Sequence, residues 1–315
     1  MTILAILLSN QYLGVGKAAE AYYLTPWQNK GASGLQIQTK HYTIYTTIQD
    51  PCMMARVANI MEAAHRSYNQ LLPHPVEPKT RSQVYLFASR HEWEQFIIRF
   101  AGQDAASLLR ITNGAVCHNG TCIAYYIGPD QTLSALTHEG WHQFASRHFA
   151  FRLPSWLDEG LAMMFEAFRQ GREGIAFCPD ANRYRLEGLS LVPTTTDLDD
   201  LLSTSPGEML STDRQDRIQG LYSRWYCLMM FLWQEYPLGL RRMVHDGFLG
   251  LWPLEGHLAA VAADRNRPRT IMWNRVVGPW VFHYYICNDT AAIHARFERY
   301  CTYLASRQTD TGVGL

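Results

Sequence analysis

Lysine is nearly absent from this chain. Only Lys17, Lys30, Lys40 and Lys79 occur, so arginine supplies the other 24 of 28 basic residues. The 28 acidic residues balance them to a formal net charge of zero. No basic run exists to neutralise a phosphate backbone, which argues against a nucleic-acid partner. No acidic tail exists to act as a solvating segment. No stretch reaches the ~20 apolar residues that a membrane span needs; residues 221–233 are apolar but few, and include Arg224. Internal repeats and low-complexity tracts are missing as well. None of the seven cysteines has zinc-finger spacing. What remains is an ordinary globular composition. With 315 residues, 47 % of them apolar, the chain can bury a large core in one domain of two lobes or in two small domains.

Against that background, His138-Glu139-Gly140-Trp141-His142 carries chemistry. Histidines four apart on a helix share one face, one turn apart. Their imidazoles can reach one zinc ion, and Glu139 between them can take a proton from a water on that metal. With this composition, H-E-x-x-H arises by accident about 2 % of the time, so its context must support it. Residues 130–148 read as an amphipathic helix, with Asp130 as N-cap and Leu133, Leu136, Trp141, Phe144 and Ala145 as apolar positions. Gly140 inside it costs about 1 kcal/mol against alanine, which points to close approach of another element or of substrate. A second helix starts after Pro154, with Ser155-Trp156-Leu157-Asp158 as a capping box. Glu159, seventeen residues after His142, then lies in its first turn and can complete a His-His-Glu set for one zinc. Two turns further along the same helix face is Glu166, either an orienting partner for a ligand histidine or a solvated helix charge.

Patterning supplies the rest of the organisation. Residues 1–34 read as a leader or arm. Their short apolar run at 3–8 and small residues at 18–21 suggest a secretory signal, although no basic residue precedes the run. Export to a periplasmic or extracellular space is the expectation, and a buried first strand in a cytoplasmic protein is the alternative. Strands are expected within 36–47 and at 83–88, helices at 53–72 and 90–101, and a hairpin from 111 to 127. At its tip Asn119-Gly120 marks a two-residue turn, which sets Cys117 opposite Cys122. That pair is either a cross-strand disulfide or two thiols. Residues 172–196 read as irregular. From 193 to about 306 the pattern is helical throughout, with 307–315 as a tail. Strands followed by helices give an α+β fold: a sheet lobe over 35–192 and a helical lobe over 193–306.

H-E-x-x-H followed by Trp156-Leu157-Asp158-Glu159-Gly160-Leu161-Ala162 resembles the gluzincin metallopeptidases, and more closely the bacterial peptidase-MA-like domains. The segments His41 to Thr47, Val84 to Phe87 and Glu92 to Phe96 add to the likeness, which covers roughly residues 36 to 235. It implies a zincin-like, thermolysin-type sheet lobe with the metal in a cleft that the helical lobe closes. It implies a peptide or protein substrate whose backbone pairs with an edge strand, here Cys122 to Tyr126, with Ile123, Ala124 and Tyr125 as the contacts. It also implies an oxyanion donor from the helical lobe. Tyr222, 63 residues past Glu159, falls at that position, and Tyr226 lies one turn later on the same face. No G-x-M-E-N type amine-binding motif precedes the helix, which disfavours an aminopeptidase. A peptide-binding pseudoenzyme and a zinc hydrolase of a non-peptide amide are the other readings.

Overall fold

The computed structural model describes residues 13–15, 22–29, 32–171, 174–191, 197–206, 208, 215–264 and 271–310. The chain is a mixed α/β protein that divides into two units. One takes residues up to 148 together with 165–179, and the other takes 149–164 together with residues from 180 onward. Residues 149–164, which sequence patterning assigns to a sheet lobe, thus belong with the helices. The apolar run at 3–8, the small residues at 18–21 and positions 192–196 lie outside the described residues.

The first unit holds a mixed six-stranded sheet. Apart from β1 (Leu13–Val15), its strands are β2 (Tyr23–Asn29), β3 (Ala32–Gln38), β4 (Tyr42–Thr46), β5 (Ser82–Phe87), β6 (Ala115–His118) and β7 (Thr121–Tyr125), in the order β2-β3-β4-β5-β7-β6. Pairing is antiparallel from β2 to β4, parallel from β4 through β5 to β7, and antiparallel between β7 and β6. Parallel neighbours need crossovers. The first is α1 (Pro51–Asn69), where the Asp50 carboxylate accepts from the Cys52 N–H at 2.9 Å and Pro51 takes the first helical position. The second contains α2 (Arg90–Phe100), opened by a Ser89/Glu92 capping box, and the short α3 (Ala105–Leu108). Phe87, Trp93, Ile97, Ile123 and Tyr125 form a buried cluster between α2 and the sheet.

Two expectations change here. The stretch read as a leader or arm contributes β1, β2 and the start of β3, because Gln36 to Gln38 are only the end of a strand that pairs along its full length with β2. The segment Cys122 to Tyr126 is not an edge strand. β7 pairs with β5 on one side and β6 on the other, so Ile123, Ala124 and Tyr125 have no open main-chain edge to offer a substrate. The outer strand is β6. The hairpin itself forms in the expected register, with Cys117 opposite Cys122 and His118 opposite Thr121. Asn119 and Gly120 both have positive φ, 49° and 70°, as a type I′ turn requires. Cys117 and Cys122 are not joined as a disulfide. A smaller antiparallel sheet of β1, β9 (Gly174–Phe177) and β8 (Phe168–Gly171) occupies part of the stretch expected to be irregular.

The second unit is helical. It contains α5 (Ser155–Met163), α6 (Arg183–Glu187), α7 (Leu198–Ser203), α8 (Gln215–Glu235), α9 (Pro237–Leu249), α10 (Gly256–Ala263), α11 (Ile271–Tyr285) and α12 (Thr290–Asp310). α8 is central and packs against α5, α9 and α12. Gly160 permits the α5 contact, since a Cβ there would stand 2.9 Å from Met229 Cε and 3.3 Å from the Trp225 carbonyl oxygen. No described helix is long and apolar enough to cross a membrane.

Candidate metal centre

H-E-x-x-H lies on α4 (Pro129–His148). The helix begins at Pro129 rather than being capped by Asp130. Proline lacks an N–H that would go unused in the first turn anyway, and the Thr132 N–H reaches the Gly128 carbonyl at 3.0 Å. Asp130 is instead exposed in that turn and paired with Arg56. The buried positions Leu133, Leu136, Thr137, Gly140, Trp141 and Phe144 recur at helical spacing. Gly140 answers to another element: a Cβ would fall 2.8 Å from Tyr68 Oη and 3.2 Å from Met61 Cε, both on α1. Tyr68 donates its hydroxyl to the Thr137 carbonyl. Burial pushes that phenol far up, so it remains a neutral donor. At the other end of α4, Gln143 Nε2 donates to the carbonyls of Gln83 at 2.7 Å and Gly120 at 2.8 Å, which pins the helix to the sheet.

The two histidines converge as their spacing predicts. Nε2 of His138 and Nε2 of His142 are 3.2 Å apart, with ring planes at 71°. Two nitrogens at zinc–nitrogen distances in a tetrahedral set would be about 3.3 Å apart. His138 Nδ1 lies 2.8 Å from Glu166 Oε1, and the two side chains are only 11 % and 10 % exposed. A carboxylate on a histidine competes with a metal when it occupies the ligating nitrogen. Here it occupies the other one. It holds the hydrogen on Nδ1 and leaves the Nε2 lone pair pointing toward His142.

Glu166 reaches that position by a route the sequence reading misses. Glu166 does not continue the Glu159 helix face, because α5 ends at Met163 and the chain turns away. Two hydroxyls of α4 hold the turned segment. Ser134 Oγ donates to the Glu166 carbonyl, and Thr137 Oγ1 donates to the Phe165 carbonyl at 2.7 Å. Ser134 lies one turn before His138 on the same face, and that spacing was a readable signal.

Glu159 lies on α5, half-buried. Its start differs from the expected capping box. Pro154 holds the cap position without a side-chain bond, and the Ser155 N–H instead donates to Asn274 Oδ1 at 2.8 Å. Asp158 is buried at 4 % exposure. His138, His142 and Glu159 each present one ligand atom, and these atoms lie within 4.8 Å of one another. The set is two imidazole nitrogens and a carboxylate oxygen, and it could hold a metal ion. Glu139 is half-buried on α4. Burial first, and the Glu139 charge second, keep the Cys122 thiol protonated.

The remaining named residues are placed as follows. Tyr222 is half-buried on α8, its ring 5.4 Å from that of Trp225 and 5.5 Å from the Arg185 guanidinium carbon. Tyr226 is wholly buried, at 0 % exposure. Ile123 and Tyr125 are committed to the cluster around Trp93, and the Tyr125 hydroxyl donates to the Thr112 carbonyl at 3.0 Å. No protein-family model matches the chain, and no curated protein matches it.

Proposed function

We propose that this chain is a zinc-dependent peptidase of the gluzincin kind, with His138, His142 and Glu159 as metal ligands and Glu139 as general base. The observation that carries this reading is the 3.2 Å approach of the two Nε2 atoms while a carboxylate holds His138 by its other nitrogen. When bound, the zinc supplies Lewis-acid activation of water and of the scissile carbonyl. The side chains do the rest. Glu139 takes the proton of the attacking water and later gives it to the leaving amine. Glu166 fixes the tautomer and ring plane of His138. Tyr222 donates its hydroxyl to the developing oxyanion. Its partial exposure supports it over Tyr226, whose buried ring cannot meet a substrate. An extended peptide is offered the outer strand β6, which lies against α4, and not β7.

The test is cleavage of a quenched-fluorescent peptide library by the zinc-loaded chain, beside Glu139→Gln and Tyr222→Phe. The wild-type chain should cleave. Glu139→Gln should lose activity by several orders of magnitude, and Tyr222→Phe should lower kcat by about 10- to 1000-fold. Turnover retained by Glu139→Gln would remove the base from the scheme. A zinc-loaded wild type that cuts nothing would defeat the peptidase reading.

A further inference from the structure

Two helices of the second unit meet at successive side-chain pairs. Arg224 on α8 forms an ion pair with Glu298 on α12, and its guanidinium carbon lies 5.1 Å from the Phe297 ring centroid. Three residues further along each helix are Cys227 and Cys301. Their Sγ atoms are 2.8 Å apart, and the residues are 0 % and 7 % exposed. Non-bonded carbons sit about 3.5–4.0 Å apart, and the larger sulfur needs more room. A disulfide bond is about 2.05 Å long. The two cysteines are not bonded in the structure, yet the observed separation is closer than two thiols hold and stands between a thiol contact and a disulfide bond.

We propose that Cys227 and Cys301 form a disulfide that ties α8 to α12. The oxidant is a disulfide of the low-molecular-weight or exchange-protein class, met while the chain folds. The thiolate of one cysteine attacks a sulfur of that oxidant, giving a mixed disulfide and releasing one thiol. The second cysteine then attacks the protein sulfur of the mixed disulfide. The intramolecular S–S bond forms and a second thiol leaves. The two protein thiols lose two electrons and two protons, and the oxidant's S–S bond is reduced to two thiols. In the folded chain, burial pushes the Cys227 thiol well up, so this sulfur is a poor nucleophile once α8 and α12 have closed over it. Both residues are buried, so outside thiols reach the bond poorly once it has formed. It closes a loop that contains α9, α10 and α11. An oxidising compartment, as export would provide, supplies such an oxidant. Nothing in this inference depends on the metal centre.

The experiment is peptide mapping of the full chain refolded in a glutathione/glutathione-disulfide buffer. The sample is denatured in alkylating agent without reductant and read by mass spectrometry. Cys227 and Cys301 should escape alkylation and appear as one cross-linked species two hydrogens lighter, which reductant resolves. Reduction should also lower Tm by roughly 5 °C or more. Full alkylation of both cysteines after that refolding would overturn the proposal. So would cross-linking of either one to a different cysteine. Site-by-site mapping keeps the Cys117/Cys122 pair from being mistaken for this bond, and no variant needs to fold for the result to be read.

Discussion

At the scale of residues, the grouping of His138, His142 and Glu159 was readable and its support was not. His138, Glu139 and His142 announce themselves because helical periodicity fixes their relative positions before any tertiary contact forms. Glu159 could be read because a proline and a polar start signal mark a new helix close behind. Glu166 reads from the sequence as either an orienting partner or a solvated helix charge, in both cases on the Glu159 helix face, and that placement is wrong. It sits past the end of α5, and only the hydroxyls of Ser134 and Thr137 bring its carboxylate to His138. Such a contact depends on where a chain turns, which local pattern does not encode. Replacing Glu166 with alanine should leave the ligands in place yet weaken zinc binding by about 10- to 100-fold, measured by competition with a chelator. Unchanged affinity would reduce the Glu166 contact to a buried structural pair with no part in metal binding. The proposed role of Tyr222 rests on resemblance to a family alone, since one tyrosine among 17 has no periodic signature of its own.

At the scale of elements, long helices and the hairpin were legible, while short strands were not. α1 and α2 follow from capping residues and apolar spacing, α4 from apolar spacing, and the Asn119-Gly120 turn from residues that tolerate positive φ. β2 and β8 carry polar and mostly exposed residues, so their pairing is set by neighbours rather than by alternation, and β9 is too short for its alternation to stand out. The reading of β7 as an edge failed for a related reason. Sequence shows that a strand exists, but not how many partners flank it. Gly140 shows the opposite case, a single residue whose identity foretold an element contact. Gly140→Ala should destabilise the fold by roughly 1–3 kcal/mol despite alanine's better helix propensity, because its Cβ meets Tyr68 Oη at 2.8 Å. Adding Tyr68→Phe removes that oxygen and should recover part of the loss. Denaturant melts of the single and double variants check this, and strictly additive effects would count against the packing explanation.

For the whole molecule, a buried network between the β3–β4 connection and α1 sets the expected response to acid. Glu62, at 0 % exposure, accepts from Thr39 Oγ1 at 2.6 Å, from the His41 N–H at 2.7 Å and from His41 Nδ1 at 2.6 Å. Burial alone would raise its carboxyl; the bonds from His41 and Thr39 outweigh it and hold the group down at about 2, from an ordinary 4.5. Its contribution is therefore present above pH 4.5 and lost as pH falls toward 2. His65 stacks on His41 at 3.9 Å, and burial with the His41 charge lowers it to about 3 from 6.5. The unfolded chain takes up that proton first, so His65 also costs stability as pH falls from 6.5 toward 3. His41 runs the other way. Burial would lower it, but Glu62 and Glu77 outweigh that and raise it above 6.5, so its contribution is full below 6.5 and fades as pH rises through the folded value. The fold should lose stability steadily below about pH 4.5, where Glu62 and His65 act together, and Glu62→Gln should flatten that slope. Urea melts across that range that show no pH dependence would contradict the network.

The metal centre itself is tested most directly by zinc stoichiometry. Wild type, Glu139→Gln and His142→Ala are loaded, dialysed against a weak chelator and measured by elemental mass spectrometry. The ligand assignment predicts one zinc per chain in wild type and in Glu139→Gln, and nearly none in His142→Ala. Equal zinc in all three, or none in the wild type, would contradict it.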